Sequence, residues 1–121
     1  MSSRQEANVH EMSIAIGIVE TLKEEMAKHP DASLKKVKLS IGEFSGVETE
    51  TLAFALGVAL EQEDFNGVQL DINKVPLEAR CRKCSRLFKP ESSGFRCDNC
   101  GSDSFDIEAG QSVTVDSITV E

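Results

Sequence analysis

Apolar residues recur at Met12, Ala15, Ile16, Val19, Leu22 and Met26, three and four positions apart. That spacing puts them on one face of a helix, with Glu20, Lys23, Glu24 and Lys28 mainly on the other. Ser13, or a residue one turn earlier, starts the helix, and Ile14 and Ile18 widen its stripe. His29-Pro30 ends it, because the residue before a proline avoids the helical region. From Lys35 to Ile41 the pattern alternates, with Val37, Leu39 and Ile41 to one side and lysines and Ser40 to the other, which predicts a half-buried strand. Gly42 to Gly46 breaks it. Glu48-Thr49-Glu50-Thr51 then supplies acids and hydroxyls suited to a first helical turn, and Leu52, Ala55, Leu56 and Ala59 carry a second helix to about Glu63.

Asn66-Gly67 is a turn signal, and Val68, Leu70 and Ile72 alternate as a second strand. Val75, Leu77 and Ala79 continue with opposite parity across Pro76, which requires a bulge or bend. The last strand, with Val113, Val115, Ile118 and Val120, slips parity at Asp116-Ser117. Two bending strands suggest a long hairpin whose far end carries the segment between them. The order predicts an α+β fold. A small mixed sheet of about three strands has two helices on one face and carries an inserted, zinc-ribbon-like module of four cysteines.

Composition narrows the chemistry. The 121 residues carry 13 Lys and Arg against 21 Asp and Glu, a formal charge of -8. Such a chain lacks the field that attracts phosphate backbones, and Trp and Tyr, the usual base-stacking platforms, are absent. No nucleic-acid partner is therefore expected. No apolar run approaches the ~20 residues of a membrane span, and Met1 to Val9 does not resemble a secretory signal. The cytoplasm is the expected compartment. Thiols are reduced there, so the four cysteines read as metal ligands or redox groups before disulfides.

Cys81-Arg82-Lys83-Cys84 and Cys97-Asp98-Asn99-Cys100 form two CxxC pairs with 12 residues between them. Each pair presents two sulfurs from one tight turn, and two such turns make the tetrahedral thiolate set of a structural zinc site. Gly101 follows the second pair, where the backbone turns under the sulfurs. The segment from Ser85 to Arg96 is polar and is not expected to form a core of its own. A thioredoxin-like redox pair would leave the second CxxC without a purpose, and four protein thiolates leave no open position for catalytic zinc. Arg82, Lys83, Arg86, Lys89 and Arg96 read either as a nucleic-acid patch or, better, as cations offsetting the charged metal site.

His10-Glu11-Met12-Ser13 stands where the polar lead-in meets the first helix. Imidazole ligates nickel, copper and zinc, and Glu11 adds an oxygen donor. Alone the pair reads as a solvated helix start, and His29 as a partner of the helix C-terminal dipole. Taken together, His10-Glu11-Met12-Ser13, Ile41-Gly42-Glu43-Phe44-Ser45, Val47-Glu48 and the double CxxC resemble, in order and spacing, the HypA family of hydrogenase-maturation nickel-incorporation proteins.

That resemblance implies a nickel-binding α/β domain, here 10–78 and 110–121, a zinc domain inserted at 79–109, and a flexible extension at 1–9. It implies a metallochaperone rather than an enzyme, delivering Ni2+ to the large subunit of [NiFe]-hydrogenase with a HypB-type GTPase, and in some members serving urease. His10 matches the family's nickel-ligating histidine, Glu11 the acidic residue after it, Glu48 an acidic position near the nickel, and Cys81, Cys84, Cys97 and Cys100 the Zn2+ ligands. A homodimer is left open.

In the family the histidine directly follows the initiator methionine, so the terminal amine, backbone nitrogens and imidazole can wrap Ni(II) in a nearly planar set. Here Val9 stands in the methionine's place with eight residues before it. The expectation is that Val9 is the true start, translated as methionine. Two other classes compete with the carrier: a zinc-ribbon protein-interaction or nucleic-acid module without a nickel role, and a thiol oxidoreductase. No Ser-His-Asp set, P-loop or dinucleotide fingerprint is present, so any nucleotide hydrolysis belongs to a partner.

Overall fold

The computed structural model describes residues 2–121, with side chains from His10 onward. Its elements are α1 (Ser2–Met26), β1 (Leu34–Gly42), α2 (Thr49–Gln62), β2 (Gln69–Val75), β3 (Glu78–Cys81), β4 (Leu87–Phe88), β5 (Phe105–Ala109) and β6 (Val113–Val120). The helix predicted to begin near Ser13 thus has its first helical residue at Ser2. The side chains of residues 1–9, where a flexible extension was expected, lie outside the described residues. Among the described residues, no helix is long and apolar enough to cross a membrane.

α1 buries a stripe rotated from the predicted one. Glu11, Ala15, Ile18, Val19 and Leu22 face inward, while Met12 and Ile16 are exposed. Hydrophobicity alone centres the stripe on Met12 and Ile16, because no apolar scale places a carboxylate inside. The helix closes at Ala27 N–H to Lys23 O (3.0 Å) and His29 N–H to Met26 O (2.9 Å), just before Pro30. His29 Nε2 lies 3.5 Å from Glu25 Oε2 on the exposed side. α2 buries Leu52, Ala55, Leu56, Ala59 and Leu60 and packs against α1.

The strands form two three-stranded sheets, ordered β2-β1-β6 and β4-β3-β5. In the first, Ser33 and Glu121 exchange backbone hydrogen bonds (2.7 and 3.0 Å), and Gly42 N–H donates to Ser112 O (2.8 Å). The start of β1 therefore meets the end of β6, so the two are antiparallel. β2 runs with β1: Lys36 pairs with Asp71 near their starts (3.8 Å), and Glu43 N–H reaches Val75 O beyond their ends (2.8 Å). The sheet is mixed, and β1-α2-β2 is a crossover unit. β1 buries Val37, Leu39 and Ile41 and exposes Lys38, so one of its faces is covered.

The expected long hairpin does not form. β2 and β6 are not neighbours, because β1 lies between them. The parity change at Pro76 is a strand break at which the chain leaves the first sheet for the second, while the slip at Asp116-Ser117 stays inside one continuous β6. The antiparallel pair that frames the cysteines is β3 with β5, in the register Ala79↔Ile107, Arg80↔Asp106 and Cys81↔Phe105.

Two compact units result. One comprises Met1–Leu39, Val47–Asn73 and Thr114–Glu121, and the other Ser40–Gly46 and Lys74–Val113. The ends of β1 and β2 and the first residue of β6 thus belong to the cysteine-bearing unit. That unit has its own small core of Ala79, Cys81, Phe88 and Cys97, with Phe105 and Ile107 packed against it. The segment from Ser85 to Arg96, expected to lack a core, contributes Phe88, whose ring meets Phe105 edge-on at 5.5 Å.

Candidate metal centre

Cys81 is the last residue of β3, so the first CxxC begins where the ladder stops. The chain reverses at once: Ser85 N–H donates to Cys81 O (3.0 Å), and Cys81 N–H to Arg86 O (2.9 Å). The second CxxC repeats the turn, with Gly101 N–H on Cys97 O (2.9 Å) and Cys97 N–H on Ser102 O (2.8 Å). In each turn the backbone after the second cysteine enters the left-handed region, at Ser85 (φ 64) and Gly101 (φ 75). The turn aims amide hydrogens at sulfur. Lys83 and Cys84 N–H lie 3.4 and 3.5 Å from Cys81 Sγ, and Asn99 N–H lies 3.4 Å from Cys97 Sγ.

A Cβ at Gly101 would meet no heavy atom within 4 Å. Gly101→Ala is therefore expected to cost only the left-handed strain of an L-residue, about 1–2 kcal/mol. A denaturant melt of the metal-loaded protein measures it, and an unchanged midpoint would show that the turn relaxes.

The four sulfurs converge. All lie within 4.8 Å of one another, with Cys81–Cys100 and Cys84–Cys97 at 3.5 Å. Zn–S bonds near ~2.3 Å in a tetrahedron require sulfurs about 3.8 Å apart, so the residues fit a structural zinc. Cys81 and Cys97 are buried, and Cys84 and Cys100 are exposed. The environment already favours thiolate at two positions. The Asn99 side chain, then the Arg86 backbone, hold the Cys84 thiol down to about 6. The Cys84 amide also lowers Cys81. At Cys100 the Ser102 backbone pulls downward, but the contact with Cys81 and desolvation prevail and push the thiol up to about 11.

Three arginines of this unit pair with carboxylates. Arg82 Nη2 pairs with Asp106 (2.6 Å), Arg86 Nε with Asp98 (2.7 Å) and Arg80 Nε with Glu108 (2.8 Å). The Arg86–Asp98 pair joins the two cysteine turns. Sequence reasoning missed this neutralisation by carboxylates, and it missed Phe88 and Phe105 beneath the site. The available signal was a pair of large apolar residues in an otherwise polar segment.

The amino-terminal candidates are placed differently. His10 is exposed. Glu11 is fully buried, and its Oε2 accepts the backbone N–H of Glu48. Glu48 is the N-cap of α2, and its own carboxylate accepts Thr51 N–H (2.8 Å) and the Thr51 hydroxyl (2.7 Å). The structure thus joins Glu11 to Glu48 through a backbone amide. Among the described residues, the only metal-ligating group of three or more is the cysteine set.

A family model described as hydrogenase/urease nickel incorporation, metallochaperone, hypA, matches residues 9–120. The hydrogenase maturation factor HypA of Lawsonia intracellularis is 32% identical over 118 residues, covering 93% of this chain and 100% of that protein. Its counterpart in Chlorobaculum parvum is 32% identical over 113 residues, with the same coverage. A solution structure of a HypA protein is similar with a TM-score of 0.71 and 25% identity, over 91% of this chain and 94% of that one. The Ni metallochaperone HypA from Helicobacter pylori shares the fold, with a TM-score of 0.66 and 24% identity over 89% and 94%.

Proposed function

The chain belongs to the HypA family of nickel-incorporation metallochaperones, and from that premise we propose that it takes up Ni2+ at His10 and passes it on during hydrogenase maturation. The family's task is delivery of a metal, not catalysis. The observation that carries the reading is the extent of the match, residues 9–120, which takes in His10 as well as the four cysteines. The exposure of His10 supports it, since an imidazole open to solvent can exchange ligands with an acceptor, whereas a buried cage holds its metal.

Zn2+ is assigned to Cys81, Cys84, Cys97 and Cys100. When bound it supplies cross-linking, with no open position for chemistry. The acceptor is the large subunit of [NiFe]-hydrogenase, with urease as a second client, and GTP hydrolysis falls to a HypB-type partner. The cytoplasm is the compartment in which these thiols stay reduced. The division of labour is between a nickel domain at 10–78 and 110–121 and a zinc domain at 79–109. Glu48 contributes to the nickel site as the acidic residue at the start of α2, beside which Glu11 is anchored.

Nickel titration tests the reading on three chains: the full chain from Met1, a version with methionine at position 9 as its first residue, and that version with His10→Ala. Expected are one tightly held zinc per chain in all three, and nickel binding lost with His10. Tighter nickel in the shorter chain would make the terminal amine a ligand. Zinc without any His10-dependent nickel would sink the carrier reading.

A further inference from the structure

Glu11 is the only charged side chain that is buried among the described residues. Its Oε1 has no hydrogen-bond partner among them. Its Oε2 accepts the N–H of Glu48, 37 residues along the chain. That N–H has a particular status. In a capping box, the residue at N3 reaches back to accept the N-cap N–H. Here N3 is Thr51, and its hydroxyl donates forward to the Glu48 carboxylate instead. Glu48 therefore satisfies Thr51, and the acceptor for Glu48's own N–H comes from α1. The capping box of α2 is closed from outside by Glu11.

We propose that the Glu11 side chain positions the nickel site and is not itself a nickel donor. Its carboxylate pins α1 to the first turn of α2 and so fixes the place of His10. Consecutive helical residues point about 100° apart, and here His10 faces solvent while Glu11 faces the core. The Glu11 carboxylate cannot reach an ion on His10 without leaving its seat and freeing the Glu48 N–H. The inference rests on His10 as the nickel donor and specifies what its neighbour does there.

The test compares Ni(II) titration, the visible absorption and circular dichroism of the nickel-loaded protein, and Glu48 amide exchange by NMR. The chains are wild type, Glu11→Gln, Glu11→Ala and His10→Ala. Gln keeps an oxygen that can accept the same N–H. It is expected to hold nickel within about twofold of wild type, with the same bands and a protected Glu48 amide. Ala is expected to free that amide and weaken nickel about tenfold, with band positions unchanged because the donors are the same. A tenfold loss or shifted bands in Glu11→Gln would make Glu11 a donor and overturn the proposal. So would a Glu48 amide that stays protected in Glu11→Ala. Should Glu11→Ala fail to fold, the Gln variant alone decides. Equal nickel binding by wild type and His10→Ala would sink the His10 site itself, a failure visible without any Glu11 variant.

Discussion

Cys97→Ser is expected to release the zinc and to remove tertiary order from the unit built on Ser40–Gly46 and Lys74–Val113. Cys97 is both a ligand and one of the four buried residues of that unit's small core. The core is slight: β4 has two residues, and Phe88 is its largest buried side chain. Burying such a side chain contributes roughly 1.5–3 kcal/mol, whereas a structural zinc contributes about 10–16 kcal/mol at neutral pH. The metal therefore dominates, and a serine hydroxyl does not replace a thiolate. Metal content after desalting and amide spectra of the variant measure the effect. The signals of Lys74–Val113 should lose dispersion while methyls of Leu22 and Leu56, in the other unit's core, keep theirs. One zinc per chain with a dispersed spectrum would sink the expectation.

The same site predicts a direction with pH. Zinc binds thiolates, so each thiol still protonated must release a proton on binding. The Cys84 thiol, held to about 6, is largely ionised at neutrality, while that of Cys100, pushed up to about 11, is not. Apparent zinc affinity should rise with pH through the neutral range and fall as acid returns protons first to Cys100. Competition with a chromogenic chelator from about pH 6 to about pH 8, either side of neutrality, reads the slope. A flat profile would mean that all four sulfurs are ionised before the metal arrives.

The cysteine centre was legible because its information is local. A CxxC turn makes its own geometry, and only the meeting of two turns needs the fold. α2 was legible for the same reason, since its cap, its apolar stripe and the turn after it lie in one stretch. The buried stripe of α1 sits one position away from where its apolar residues put it. Glu11 is inside because a backbone amide 37 residues away needs an acceptor, and no window of neighbouring residues contains that amide. The sheets show the same limit. Opposite parity across Pro76 marked an interruption, but bend and strand break look alike until it is known that β1 occupies the place beside β6. Arg82 and Arg86 were legible as charges near a metal site. Their partners Asp106 and Asp98 come from separate segments, and spacing alone does not single those carboxylates out.

Gly110→Ala is expected to cost a large share of the stability without touching a ligand. Gly110 sits at φ 100, where an L-residue is strained, and its missing side chain makes room for another backbone. A Cβ there would lie 2.5 Å from Leu77 Cα, 2.7 Å from Pro76 O and 2.8 Å from Leu77 N. None of these is the end of a flexible side chain, so the clash cannot be relieved by a rotamer. Left-handed strain of about 1–2 kcal/mol joins an overpacking cost of about 1–3 kcal/mol, and a loss of about 3 kcal/mol or more is expected in denaturant melts. Gly101→Ala, which has the strain without the clash, is the control; equal losses in the two would show that the backbone at Leu77 yields. The position matters because Gly110 O accepts Phe44 N–H (2.8 Å), and a Cβ on Gly42 would fall 2.3 Å from the Gly110 carbonyl carbon. Gly42 and Gly110 thus make one close approach between the end of β1 and the turn into β6. Gly42→Ala should destabilise by a clash of its own, because its Cβ would meet the Gly110 carbonyl and Gln111 N rather than Leu77 and Pro76.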